Sequence, residues 1–160
     1  MRTLAAVAVF MLLSSCQASP AQMSEAQIAQ VEGEVAAVGD QLMTAMNNLD
    51  VVALSALYDP SSMQGNDGSF YYATYDEWVV HVQQMFGSFE ELRMEWTNTR
   101  VDVLAPDVAL FVGQSDATLE RTEQSEAHEG YTSLVLRNID GAWKIIHQAS
   151  VGRWTPVEGG

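Results

Sequence analysis

Apolar positions in the first part of the chain recur at helical spacing. Ile28, Val31, Val35, Val38, Leu42, Ala45 and Leu49 follow one another at steps of three and four. This is one continuous stripe, with Glu32, Glu34, Asp40 and Asn47 lying off it. Ser24 stands where an N-cap belongs, so the pattern predicts a long helix packing one side on its own domain's core. The stripe has too few heptads for a coiled coil. Asp50 caps a short second helix over residues 51–58, and Asp59-Pro60 ends it. Residues 61–73 are turn-rich, and Gly65-Asn66-Asp67-Gly68 can join two very short strands, the second at Phe70-Tyr71-Tyr72. Thr74-Tyr75-Asp76-Glu77 reads as a capping box that opens a third helix. Trp78, Val79, Val82, Met85 and Phe86 form its apolar face, and Gly87 ends it.

From Leu92 the period changes to two. Leu92, Met94 and Trp96 alternate with Arg93, Glu95 and Thr97, and Val101 and Val103 continue past an irregularity at 98–100, where a bulge would bend a long strand. A turn at Ala105-Pro106-Asp107 leads into a strand over 108–119, and residues 121–129 read as a polar, acidic hairpin loop. The last hairpin turns at Ile139-Asp140-Gly141, and Asp-Gly between alternating apolar runs is a strong hairpin signal. In its return strand, period two puts Trp143, Ile145, His147, Ala149 and Val151 on one face and Lys144, Ile146, Gln148 and Ser150 on the other. Three helices followed by an antiparallel meander predict an α+β, cone-shaped domain. Its N-terminal helices pack on a strongly curved antiparallel sheet, and the open end of such a cone is a pocket.

Composition narrows the function. The chain has 160 residues, 48% of them hydrophobic, enough for one well-packed domain. With 21 acidic against 7 basic residues the formal charge is -14, which repels phosphate backbones and argues against a nucleic-acid partner. A single cysteine excludes an internal disulfide. That cysteine follows Met1-Arg2-Thr3 and an apolar run from Leu4 to Leu13, the make-up of a signal peptide over residues 1–15. Leu13-Ser14-Ser15-Cys16 resembles a bacterial lipobox, which implies cleavage before Cys16, acylation of that residue, and a stable membrane anchor. Residues 16–24 then form the lipidated cysteine and tether, 25–155 the domain and 156–160 a frayed tail. Gln17, not aspartate, follows the cysteine. By the lipoprotein sorting pattern this implies the outer membrane, facing the periplasm.

Taken together, the long first helix, Leu57-Tyr58-Asp59-Pro60 at the end of the second, the capped third helix with Trp78, and the strand pair around 101–110 resemble the nuclear transport factor two-like superfamily, in particular its SnoaL-like branch. The most specific match is Asp140-Gly141-Ala142-Trp143-Lys144-Ile145-Ile146-His147, which is similar to the family's final hairpin. The resemblance covers residues 25–151. It implies the cone fold and homodimers that pair through the convex sheet face. It leaves the activity open, because the family holds cyclases, isomerases, dehydratases and hydrolases beside members that only bind or dimerise. Many SnoaL-like chains carry a second histidine two residues after the first in the last strand; here that position is Ala149.

Asp59 and His147 are the candidate catalytic pair. A carboxylate at the end of the second helix, partly desolvated by neighbouring rings, would suit proton abstraction beside a carbonyl, and His147 could polarise that carbonyl or shuttle the proton. Each also has a plain structural reading: helix termination beside Pro60 for Asp59, a hydrogen-bonded core position for His147. Tyr58, Tyr72, Trp78, Trp96, Tyr131 and Trp143 are the candidate ligand-pocket residues. His81 borders the apolar face of its helix, within reach of the pocket but read as a boundary residue, and His128 is read as solvated in the acidic loop. Neither the histidine spacing nor Asn66-Asp67-Gly68 carries a metal signal, and no cofactor is implied. Three functions remain open: a lipid-anchored module binding a small apolar or amphipathic ligand in its cone, an acid–base enzyme using Asp59 and His147, and a structural dimerising envelope protein.

Overall fold

The computed structural model describes residues 23–157, apart from 69 and 123. The stretch expected to be a signal peptide, Cys16, most of the expected tether and residues 158–160 lie outside the described residues.

The first helix, α1 (Glu25–Asn47), opens as expected. Ser24 Oγ accepts the Gln27 amide, and the Gln27 side chain accepts the Ser24 amide in return, a reciprocal capping box. Its buried face carries Val31, Val35, Val38, Leu42 and Ala45. The second helix, α2 (Val51–Ser55), is capped by Asp50 Oδ1, which accepts the Ala53 amide at 2.9 Å. It stops three residues short of the expected end at 58 because the backbone changes partner. The Asp59 amide donates to Ile145 O at 3.0 Å and the Ile145 amide to Leu57 O at 2.9 Å, tying the chain to the last strand. Thr74 caps α3 (Tyr75–Phe86), whose buried side is Trp78, Val82 and Phe86.

Among the described residues six strands form one sheet: β1 (Gln64–Asn66), β2 (Tyr71–Tyr72), β3 (Glu91–Ala105), β4 (Val108–Arg121), β5 (Gln124–Ile139) and β6 (Ala142–Pro156), in the order β2-β1-β6-β5-β4-β3. All neighbours are antiparallel except β1 beside β6. β3 carries a bulge, but just before the expected 98–100: the register shifts between Trp96 and Asn98, with Thr97 as the extra residue, and again between Val103 and Ala105. The last hairpin turns through Asp140 and Gly141, both at positive φ (53° and 88°), as a primed two-residue turn demands. The acidic stretch expected to be a loop is strand instead. Residues 124–129 pair with the far end of β4 on one side, and residues 126–129 pair with β6 on the other, where Glu126 faces Pro156. Backbone pairing outweighs the polarity of that segment, since each unpaired backbone group left beside a sheet costs a hydrogen bond.

One irregularity decides which side chains face inward. In the pairing of β5 with β6, Leu136 opposes Ile145 and Val135 opposes His147, leaving Ile146 as the extra residue of a bulge. Trp143 and Ile145 point into the core, but beyond the bulge the inward set becomes Gln148, Ser150, Gly152 and Trp154. The expected face of Trp143, Ile145, His147, Ala149 and Val151 is therefore broken after its second member.

The core lies between α1 and the concave sheet face. Val35, Ala109, Leu134, Leu136 and Ile145 are fully buried there, with Phe111 beside them. Edge strand β3 is also held by α1. Asn47 Nδ2 donates to Met94 O at 2.9 Å and its Oδ1 accepts the Met94 amide at 2.6 Å, satisfying backbone groups the edge would leave open.

Candidate functional site

The helices cover the core end of the sheet and leave a cavity of about 310 Å³ toward the other end. Three walls enclose it. Leu42 and Met46 of α1 with Leu54 and Tyr58 form one; Trp78, His81, Val82 and Met85 of α3 form the second. The sheet supplies the third, in cross-strand rows. Thr132 opposes Ser150, Ser115 opposes Gly130, which opposes Gly152, and Ala117 opposes His128, which opposes Trp154. The lining is mainly apolar, with a few convergent polar groups, as small-molecule pockets are built.

On one side stands a carboxylate–imidazole pair. Asp67, in the turn between β1 and β2, has Oδ2 3.1 Å from His81 Nε2. The turn is fixed by its own bonds: the Phe70 amide donates to Asp67 Oδ1 at 2.8 Å, and Gly68 takes a φ of 89°. Tyr72, 2% exposed, donates its hydroxyl to the same Oδ2. Burial, reinforced by the Asp67 carboxylate, raises the Tyr72 pKa, so its phenol keeps the proton it donates. The Phe70 ring stacks on the imidazole at 5.3 Å and 12° between planes. His81 therefore has one nitrogen facing a carboxylate and its ring held flat against an aromatic.

Along the sheet wall runs a hydrogen-bonded chain. Tyr58 Oη donates to Gln148 Oε1 at 2.5 Å, Gln148 Nε2 to Ser150 Oγ at 3.1 Å, and Ser150 and Thr132 share a contact at 3.1 Å. Burial raises the Tyr58 pKa as well. Trp96 Nε1 donates to Gly39 O at 3.2 Å, which fixes that ring between α1 and β4.

Tyr58, Tyr72, Trp78, Trp96 and Tyr131 all line the cavity, Tyr131 while 56% exposed. Trp143 does not. It is buried in the core, and its Nε1 donates to Glu34 Oε2 at 2.8 Å. The Asp59–His147 pair does not converge on the cavity either. Asp59 is buried in its own turn, accepting the Ser61 amide at 3.3 Å and the Ser61 and Ser62 hydroxyls, with Arg137 Nη2 3.6 Å from Oδ2. The Ser62 hydroxyl is the main cause of its lowered pKa, the opposite of what a general base needs. His147 is exposed, because the bulge at Ile146 turns it to the outer face. His128, expected to be solvated, is half-buried and lines the cavity. His81 carried a readable signal, its place at the edge of the α3 apolar stripe. Asp67 carried none, since its approach to His81 depends on how the β1–β2 turn folds over α3. Among the described residues no group of three His, Cys, Asp or Glu gathers to hold a metal ion.

Solved structures share this architecture. The hexachlorocyclohexane dehydrochlorinase LinA aligns with a TM-score of 0.76 at 16% identity, over 86% of this chain and 96% of its own. A candidate scytalone dehydratase from Novosphingobium aromaticivorans gives 0.75 at 13% identity, over 86% and 93%. A protein of unknown function of the nuclear transport factor two-like kind from Pseudomonas putida gives 0.66 at 17%, over 76% and 86%. At such identities the likeness shows the fold. Comparison with curated proteins gives no match. The family model of the SnoaL-like domain matches residues 35–153, so the three helices, the bent sheet and the cavity between them belong to a member of the SnoaL-like domain family.

Proposed function

We propose that this domain is an acid–base catalyst of eliminations on a small, largely apolar molecule, with His81 as the base and Asp67 as its orienting partner. The observation that carries the reading is the His81 Nε2–Asp67 Oδ2 pair, 3.1 Å apart in the wall of a mainly apolar cavity. A carboxylate beside Nε2 holds the proton there, leaves Nδ1 with its lone pair, and stabilises the imidazolium that forms when Nδ1 takes a proton. The imidazolium then returns the proton to the departing group. Two of the neighbours in fold are named for eliminations, a dehydrochlorinase and a dehydratase, which supports this class of reaction over others.

The test incubates small cyclic compounds, each with a hydroxyl or halide one carbon from an acidic C–H, with the protein in D2O. Loss of water or halide, or deuterium uptake at that carbon, is expected, and His81→Gln should slow it by roughly 10²-fold or more. Turnover unchanged in His81→Gln sinks the assignment. No turnover, with a small molecule retained in native mass spectrometry, favours the binding module instead.

The anchor belongs to the same proposal. Leu13-Ser14-Ser15-Cys16 would tether the domain to the outer membrane, facing the periplasm, and homodimers would pair through the convex sheet face. The mass of the mature N-terminal peptide tests the first: an unacylated Cys16 rules it out. Sedimentation of the lipid-free domain tests the second, and a monomer at all concentrations rules that out.

A further inference from the structure

The far side of the cavity holds a second histidine whose setting the elimination reading does not use. His128 lies on the inward face of β5, and its ring rests on two glycines. A Cβ at Gly130 would meet His128 Cε1 at 2.3 Å, and one at Gly152 would meet His128 Nε2 at 2.0 Å. Gly130 and Gly152 are cross-strand partners, so the sheet has a side-chain-free saddle under the imidazole. Trp154 covers the ring at 4.5 Å. Ser115, 2% exposed, opposes Gly130 in the same row.

His128 Nδ1 is buried and has no hydrogen-bond partner among the described residues. An N–H there would be an orphaned buried donor, rarer in proteins than an orphaned acceptor. Protonating the ring would bury the same orphan with a charge on it. Burial indeed pushes the His128 pKa down, against the pull of the Asp116 and Glu129 carboxylates. The form that fits is the neutral ring with its hydrogen on Nε2. Four other donors of the cavity lining are committed within the protein: Tyr58 to Gln148, Tyr72 to Asp67, Trp96 to Gly39 and Gln148 to Ser150.

We propose that His128, seated on the Gly130–Gly152 saddle, donates its Nε2 hydrogen to an oxygen of the ligand, with Ser115 beside it, so that the cavity selects molecules carrying a carbonyl. This deepens the proposed function and rests on it for the location of the site. A neutral donor at a carbonyl oxygen stabilises the charge that develops there when His81 removes the neighbouring proton.

A matched pair of probes tests it: 1-tetralone, which carries the carbonyl, and tetralin, which does not, titrated into the intact domain with 15N-labelled histidine side chains. Wild type should bind the ketone more tightly than the hydrocarbon and show a shift of His128 Nε2 only with the ketone. His128→Phe should weaken ketone binding by about 5–10-fold, the worth of one hydrogen bond, and leave tetralin unchanged, while His128→Gln restores part of the preference. Gly152→Ala, which displaces the ring and keeps the histidine, should lose the preference in the same way. Equal loss for both probes in His128→Phe would reduce His128 to a packing role and overturn the inference. So would an unchanged ketone preference, or failure of both probes to bind wild type. The titration reads binding alone, so an inert His81 would leave its outcome intact and the two failures stay distinguishable.

Discussion

Helix α1 contains two glycines for which the structure demands opposite responses to the same substitution. A Cβ added at Gly33 meets nothing within 4 Å, whereas one added at Gly39 falls 2.5 Å from Phe111 Cε2 and 2.7 Å from Cζ. Both changes gain the same helix term, about 0.5–1 kcal/mol, because alanine loses less backbone freedom than glycine. They differ in packing. Carbon atoms prefer separations of about 3.5–4.0 Å, so the Phe111 ring must retreat by about 1 Å. It has nowhere to go: Phe111 is 2% exposed, and Trp96 stands behind it at 5.3 Å. Trp96 is itself held by its bond to Gly39 O and is so close to Gly113 that a Cβ there would lie 2.5 Å from Cζ3. Overpacking of this kind costs about 1–3 kcal/mol. Since the helix term cancels between the two variants, their difference in stability is the clash itself. For a domain of this size roughly 2–4 °C of Tm accompanies each kcal/mol, so the variants should differ by about 4–8 °C at the middle of that range. Thermal unfolding followed by circular dichroism reads this directly: Gly33→Ala rises slightly above wild type, and Gly39→Ala falls at or below it. Equal upward shifts would mean that α1 and Phe111 are not packed as described, and with them the Trp96 wall of the cavity.

Two further outcomes follow from the turn after α2 and from the last strand. Asp59 holds its turn through Ser61, Ser62 and Arg137, so Asp59→Asn should cost about 1–2 kcal/mol at neutral pH in urea unfolding, without changing any activity. Its pKa is lowered in the folded state, so the stabilisation is present above the unfolded value of about 3.9 and is lost as the pH falls through the folded one. The two proteins should therefore converge in acid, and a difference that stays constant down to the lowest pH would refute the assignment. In β6, deleting Ile146 removes the extra residue of the bulge and keeps Gln148, Ser150 and Trp154 facing inward, so that variant should fold with its near-ultraviolet dichroism preserved. Deleting Ala149 inverts Ser150, Gly152 and Trp154 and should abolish cooperative unfolding; equal tolerance of both deletions would contradict the register.

The parts of this fold that announced themselves in sequence are those fixed by local physics. Ser24, Asp50 and Thr74 cap helices because their oxygens meet amides two or three residues on, and Asp140-Gly141 turns because two consecutive residues must take positive φ. The core-facing stripe of α1 follows from a period that a continuous helix cannot alter. The site is less legible because it depends on what the chain does between elements. Nothing local to Asp67 says that its turn will bring it to His81. Nothing in the polar run 121–129 says that backbone pairing will make it strand and carry His128 into the wall.

The last strand shows why even strong alternation misled. Lys144-Ile145-Ile146-His147 is compatible with either parity, because both isoleucines are apolar and one had to be the bulge. A reader guided by burial assigns the polar residues Gln148 and Ser150 to the outer face and the apolar Ala149 and Val151 to the inner one. That rule holds where the inner face is core. Beyond Ile145 the inner face is cavity wall, where hydroxyl and amide groups are paired with one another and with Tyr58 in place of water. The inversion is therefore where the pocket begins: Ile145 is the last side chain of β6 in the core, and Gln148 the first to meet the cavity. The bulge at Ile146 is what lets one strand do both. It also explains why Trp143, three rows nearer the hairpin, became a core residue bonded to Glu34 while Trp154 at the other end covers His128. A bend placed two residues later would leave Gln148 facing outward and Tyr58 without its acceptor, so the position of the bulge, and not the count of aromatic residues, sets where the cavity of this domain lies.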